Sequence, residues 1–232
     1  MLAVDQWGVM GSWLIVGAAG LGAALVLGII LGVSAKVRDN VTLLIVGLMV
    51  GNMTIALVSI WQYFSNPEQI QDYLIWVFGS LGGVYASQLW LLGGIVAAGT
   101  VLAFLMAKPM NGFLLGENYA KSLGISVHKT RIMLIVTTSL LAGSVTAFCG
   151  PIGFIGIAVP HLVRSLFNSN NHLFLVPGTL LMGALLMLFC DIIAQLPGSA
   201  QTLPISSVTA LIGSPVVIWV IIKQKNLRGA FS

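Results

Sequence analysis

The chain carries very little charge. Of its 232 residues only 7% are Asp, Glu, Lys or Arg, whereas 58% are apolar and the mean hydropathy is +1.03. A soluble domain has about a quarter of its residues charged, so this balance excludes one and indicates a polytopic membrane protein. Cysteine is scarce as well. Cys149 and Cys190 both lie in apolar segments, with no CxxC and no Cys/His spacing; this excludes a disulfide framework, suggests no metal site, and leaves both as small core residues. No Gly-Lys dipeptide occurs anywhere, so there is no phosphate loop with its lysine, and ATP, if it drives this protein, is hydrolysed by another polypeptide. No nucleophile–base pair or paired carboxylates stand out in the apolar segments, which argues against an intramembrane enzyme and indicates no cofactor. The pI near 9.3 is no sign of nucleic acid, because the ten basic residues are scattered at segment ends instead of forming a stripe.

What is present is a series of apolar runs of spanning length, near 12–35, 41–64, 84–107, 131–149, 173–196 and 204–222. A further, shorter run, Ile152–Phe167, begins with Pro and Gly and is expected to cross obliquely or enter partway. The expected fold is all-α: about seven transmembrane helices, one of them short, in a single domain over 1–232. Alternating the spans with Met1 outside puts Lys36, Arg38, Lys108, Lys121, Lys129, Arg131, Arg164, Lys223, Lys225 and Arg228 on one side, and Asp5, Glu68 and Asp72 on the other. By the positive-inside rule the amino terminus is then outside and the carboxyl terminus cytoplasmic. A signal peptide is not supported, for lack of a basic n-region and of a small-residue cleavage pattern.

Between the second and third spans, Asn66-Pro67-Glu68 turns the chain. Tyr73–Phe78 then gives six apolar residues ending at Gly79-Ser80-Leu81-Gly82-Gly83, too short to span. This reads either as a half-helix beside a cavity or as an interfacial helix with Tyr73 and Trp76 as belt residues. Asp191 is the one carboxylate inside a long span, so it needs a partner; Gln195 at i+4, or hydroxyls of Ser206, Ser207 and Thr209, are available. His161 and Arg164 stand at i,i+3, with Arg164 as an inner anchor and His161 placed to bond a carbonyl freed by Pro160. The other histidines, His128 and His172, sit in loops, so metal ligation by His161 is not expected. Small-residue spacings such as Gly17, Gly20 and Gly22, or Gly93, Gly94, Ala98 and Gly99, are packing signals.

Gly112–Arg131 is the only long polar segment between two strongly apolar blocks. Its middle reads as a short helix, with Glu117 and Lys121 at i,i+4, Gly124 as helix-ending residue, and Tyr119, Ala120 and Leu123 together on an apolar face. Either this helix rests on the lipid surface or it docks another protein. Glu117-x-x-Ala120-x-x-Leu123-Gly124 resembles the coupling loop of ABC importer permeases, which seats in the attached ATPase. Gly150-Pro151-Ile152-Gly153-Phe154-Ile155-Gly156, Val159-Pro160-His161-Leu162-Val163-Arg164, Leu203-Pro204-Ile205 and Val208–Pro215 resemble the FecCD-type permease family of iron-chelate, haem and cobalamin importers. Echoes at Leu43–Gly47 and Ile75–Leu81 carry the likeness back to about residue 40.

The resemblance implies a permease subunit of a type II ABC importer in the bacterial inner membrane, without catalysis of its own. Its implied partners are membrane lipid, a second copy, two cytoplasmic ATPase subunits and a periplasmic binding protein. Leu115, Gly116, Glu117, Ala120, Lys121, Leu123 and Gly124 would couple to the ATPase; Arg38, Asn40 and Thr42 would lie near a cytoplasmic gate, and Trp76, Gly79 and Ser80 near an outer one. The family fold has ten spans with both termini inside, so the chain reads as lacking the first three. It also has no basic residue outside for a binding protein's glutamates, with Gln195 where an arginine would stand. The rival readings are a secondary transporter using Asp191 and His161 as a proton relay, for which no inverted repeat is visible, and a membrane scaffold or inactive remnant.

Overall fold

A computed structural model describes residues 8–34, 40–195 and 202–229. The described residues form helices: α1 Gly8–Ser34, α2 Asn40–Tyr63, α3 Pro67–Phe78, α4 Ala86–Phe113, α5 Glu117–Ser122, α6 Val127–Cys149, α7 Ile155–Phe167, α8 His172–Ala194 and α9 Ile205–Gly229. Among them α1, α2, α4, α6 and α8 are long and apolar enough to cross a membrane, and shorter apolar stretches run over Ile155–Phe167 and Ile205–Trp219. Large apolar side chains face outward along most of these helices, Leu21, Leu44, Leu57 and Leu185 among them. An apolar exterior suits hydrocarbon, where each helix satisfies its own backbone donors and acceptors.

The packing is organised around α6, which lies between α1 and α4; α4 also packs on α8, and α8 on α7 and α9. Small residues set these approaches. A side chain at Gly143 of α6 would stand 2.9 Å from the backbone of Gly20 in α1, and one at Gly99 of α4 would stand 2.5 Å from Leu141. Gly178 of α8 admits Val163 and Phe167 of α7 in the same way. Gly17, Gly22, Gly93 and Gly94 face open space, so only part of the small-residue pattern serves packing within the chain. Val159, Val163 and Leu175 form one core cluster, and Cys190, Ala194 and Val208 another. Among the described residues α2 packs chiefly on α1, and its span is uncovered.

Helix boundaries follow local chemistry. Pro67 opens α3 where its missing N–H costs nothing, and the Gln69 side chain accepts from the Asn66 N–H at 3.2 Å. The helix therefore starts in the polar turn, six residues before the apolar run at Tyr73. Helix α6 begins at Val127, four residues earlier than its apolar span, and so takes His128, Lys129 and Arg131 into its first turns. Helix α7 follows a tight turn in which the Ile155 N–H bonds the Gly153 carbonyl at 2.7 Å across Phe154, a non-glycine residue at φ 63°. Such a γ-turn is strained; Phe154 is held there against Gly213 of α9.

Candidate functional site

Two places stand out, at opposite ends of the helices. At one end, α5 forms a short hairpin between α4 and α6. Its six residues are framed by Gly116 at φ 98° and Gly124 at φ 77°. Past its last turn, the Gly124 N–H bonds the Lys121 carbonyl and the Ile125 N–H bonds the Ala120 carbonyl, both at 3.0 Å, which closes the helix in the manner that favours a left-handed glycine. Ala120 is fully buried, and Ile125 fits where a side chain at Gly112 would stand. Tyr119 and Leu123 do not share that face: both are exposed, with Leu114 and Leu115 beside them, the last at 68%. The expected single apolar face is therefore split, because α5 is so close to α4 that only a methyl group fits between them.

Glu117 does not depend on Lys121. It forms an ion pair with Arg131, which the early start of α6 brings within reach. The i,i+4 pairing expected from sequence gives way to a tertiary one. Both partners are substantially exposed, so the pair orients α5 more than it stabilises the fold. Glu117, Lys121, Gly124, His128 and Arg131 line a groove of about 560 Å³.

A second contact at this end escaped the sequence. Asn111, in the last turn of α4, donates from Nδ2 to Asn171 Oδ1 at 2.7 Å, and its Oδ1 accepts from the His172 backbone N–H at 2.8 Å. His172 Nδ1 also lies 2.8 Å from that oxygen. A polar residue just before Gly112, at the mouth of an apolar run, was the available signal; Asn-Gly reads by itself as a turn.

At the other end, α3 meets the ends of α6 and α9. Ser80 N–H bonds the Cys149 carbonyl at 3.0 Å, Trp76 Nε1 donates to the Ala147 carbonyl at 3.3 Å, and Ser206 Oγ donates to the Phe78 carbonyl at 2.7 Å. Gly79 and Gly150, at φ 73° and 80°, press together so closely that a side chain on Gly150 would lie 2.3 Å from the Trp76 carbonyl. Trp76 therefore faces the protein, and Tyr73 lies between it and Trp61, with ring centres 5.9 and 6.2 Å away. Of the two readings of this segment, the structure supports a short helix docked beside a cavity.

That cavity, about 500 Å³, is lined by Phe78, Gly79, Ser80, Asp191, Gln195 and Leu203, with others. It thus brings Gly79 and Ser80, two of the residues expected near an outer gate, together with the carboxylate of α8, whereas the third, Trp76, turns its ring to α6 and is not in the cavity wall. Asp191 Oδ2 accepts from Gln195 Nε2 at 2.6 Å, whereas Ser206 and Thr209 bond backbone carbonyls. His161 is half-buried and Arg164 exposed. The bond expected from His161 to a freed carbonyl is not made through Nδ1, which is shielded and has no partner among the described residues. Arg38 lies outside the described residues; Asn40 opens α2, and Thr42 is half-buried on its first turn.

The model of the FecCD transport family matches residues 1–223. Vitamin B12 import system permease proteins from Klebsiella pneumoniae and Vibrio cholerae are each 36% identical to this chain, over 94% and 90% of its length. The matches take in 66% and 63% of those relatives, so the chain spans a little under two thirds of their length. A solved structure described as an inward-facing conformation of a metal-chelate type ABC transporter superposes with a TM-score of 0.74 at 30% identity, covering 85% of this chain and 63% of that one.

Proposed function

Because the chain belongs to the FecCD transport family, we propose that it is the membrane-spanning subunit of an ABC importer that moves a metal chelate across the bacterial inner membrane. The observation that carries this reading is the α5 hairpin. It is clamped from within by Ala120 and Ile125, bracketed by two left-handed glycines, and presents Leu114, Leu115, Tyr119 and Leu123 outward. A helix this short with exposed apolar side chains beside an ion pair suits a socket on another protein. Leu115, Gly116, Glu117, Ala120, Lys121, Leu123 and Gly124 form the docking element, and a separate ATPase supplies the energy.

The positive-inside distribution supports a cytoplasmic α5, which puts the Asp191 cavity, with Trp76, Gly79 and Ser80, on the outer side. The partners are a second copy of the permease, two ATPase subunits and an external binding protein that delivers the chelate. The uncovered span of α2 fits lipid or a second copy. Within the chelate class, iron-siderophores, haem and cobalamin are the candidates; the names of the vitamin B12 permeases above favour a corrinoid. The test is reconstitution with the cognate ATPase and binding protein, followed by ATP-dependent uptake of cobalamin and of a ferric siderophore. Saturable uptake of either one supports the reading and identifies the substrate. Failure of this chain to capture the ATPase sinks it.

A further inference from the structure

Asn111 belongs to neither the docking face nor the cavity, yet it joins the two parts of the molecule that contain them. We propose that the clasp of Asn111 with Asn171 and His172 is the joint that carries movement of the α5 hairpin to α8, and along α8 to the Asp191 cavity, with Asn111 as a positioning residue. This rests on reading α5 as the ATPase-docking element.

The chemistry of the clasp is directional. The first backbone N–H groups of a helix have no partner inside it. In α8 the His172 N–H is taken by Asn111 Oδ1 at 2.8 Å, and the Leu173 N–H by Asn171 Oδ1 at 2.9 Å. One end of α8 is thus capped by a side chain from another helix. The backbone donor fixes which amide atom of Asn111 is the oxygen; Nδ2 is then free to donate to Asn171 at 2.7 Å. The same oxygen faces His172 Nδ1, which carries its proton there. Acceptor and donor are used at once, a combination that neither Asp nor Leu reproduces.

The position matters as much as the bonds. Asn111 adjoins Gly112, against which Ile125 and Ala120 seat the hairpin. Two residues earlier, Pro109 lies within α4; it removes one ladder bond and loosens the last turn from the helix before it. Without the clasp, displacement of the hairpin would be absorbed at that proline. With it, the last turn of α4 is bonded to α8. Helix α8 has 23 residues and therefore reaches about 35 Å, and its far end holds Asp191 and Ala194 in the cavity wall. Pro177 interrupts its ladder, but that region is braced by α7, with Leu175 buried against Val159 and Val163 and Gly178 against Val163.

The experiment uses the permease assembled with its ATPase, carrying spin labels at Leu81→Cys, just past α3, and Gln195→Cys, at the far end of α8, both on the cavity wall, and compares distances with and without a non-hydrolysable ATP analogue. Asn111→Leu should still capture the ATPase and hydrolyse ATP, while the analogue-driven distance change disappears and uptake per ATP falls about tenfold. Asn171→Asp, which keeps the accepting oxygen, should behave as wild type. A wild-type distance change in Asn111→Leu overturns the proposal. Should that variant fail to assemble, the isosteric Asn111→Asp is read in its place: it keeps an acceptor for His172 but loses the donor to Asn171, so loss of movement supports the joint and retained movement overturns it. Failure of both variants to assemble means that the clasp only holds the fold, and also overturns it. Failure of the unsubstituted permease to bind the ATPase is a different result, visible before any variant is made, and removes the docking reading itself.

Discussion

At the residue scale, the contrast between Gly150 and Gly153 isolates what a close approach requires. Both lie in one short motif, but Gly150 sits at φ 80° with the Trp76 carbonyl 2.3 Å from any added side chain, whereas Gly153 has open space around it. Gly150→Ala meets a conformational penalty of roughly 1 kcal/mol together with an overpacking cost of about 1–3 kcal/mol. Its melting temperature in detergent should fall by several degrees, while Gly153→Ala should melt with the parent; equal melting of the two would remove the α3–α6 contact from the account. Asp191 makes a second residue-scale case. Its carboxylate accepts from Gln195, and Asn in its place keeps an accepting oxygen without the charge. Asp191→Asn should therefore keep protein level and uptake per transporter, and Asp191→Leu, which removes the acceptor of an exposed amide, should cost no more than about 1 kcal/mol of stability. Loss of uptake in Asp191→Asn at normal protein level would point to proton movement through this carboxylate.

At the element scale, α5 has an inner and an outer side with opposite expected responses. Ala120 is fully buried against α4, so Ala120→Leu forces the hairpin away from Gly112 and should cost about 1–3 kcal/mol of stability. Leu123 and Leu115 are exposed, so Leu123→Glu should leave melting unchanged and weaken ATPase capture about tenfold, as removal of a central apolar anchor does at an interface. Pull-down of the ATPase with measured occupancy separates the two. If Leu123→Glu binds normally, the exposed apolar set faces lipid instead. Gly124→Arg tests the closure of the helix: at φ 77° it carries a penalty of roughly 1 kcal/mol and adds bulk at the docking surface, and transport-coupled ATP hydrolysis should drop in an otherwise assembled complex.

At the scale of the whole molecule, sidedness and energy source are the decisive properties. A cysteine replacing Lys121, which lines the α5 groove, should react with an impermeant reagent only from the cytoplasmic side. Labelling from outside would invert the topology and with it both the docking and cavity assignments. If the chain works with a separate ATPase as proposed, uptake in vesicles should persist with ATP present and the proton gradient collapsed; a proton relay would have a single carboxylate in the long spans, Asp191, to use. Uptake that dies with the gradient while ATP remains would favour the proton-coupled alternative.

The sequence by itself determined the helical elements and the one polar hairpin between them. In hydrocarbon every backbone group must be satisfied within its own segment, so a run of apolar residues of sufficient length dictates a helix whatever its neighbours are, and α5 was legible from Glu117 to Gly124 for an equally local reason. Gln195 as the partner of Asp191 was readable too, since a spacing of four is a contact along one helix. What only the tertiary structure decided is which faces meet. Lipid tails are as apolar as a core, so hydrophobicity does not say which side of α1 or α4 turns inward; that Gly20 and Gly99 pack against α6 while Gly17 and Gly94 look outward follows from shape alone. The pairing of Glu117 with Arg131, the clasp of Asn111 on α8 and the meeting of Gly79 with Gly150 join residues 14 to 71 positions apart. No local pattern encodes them, because each depends on where two separate helices end in space.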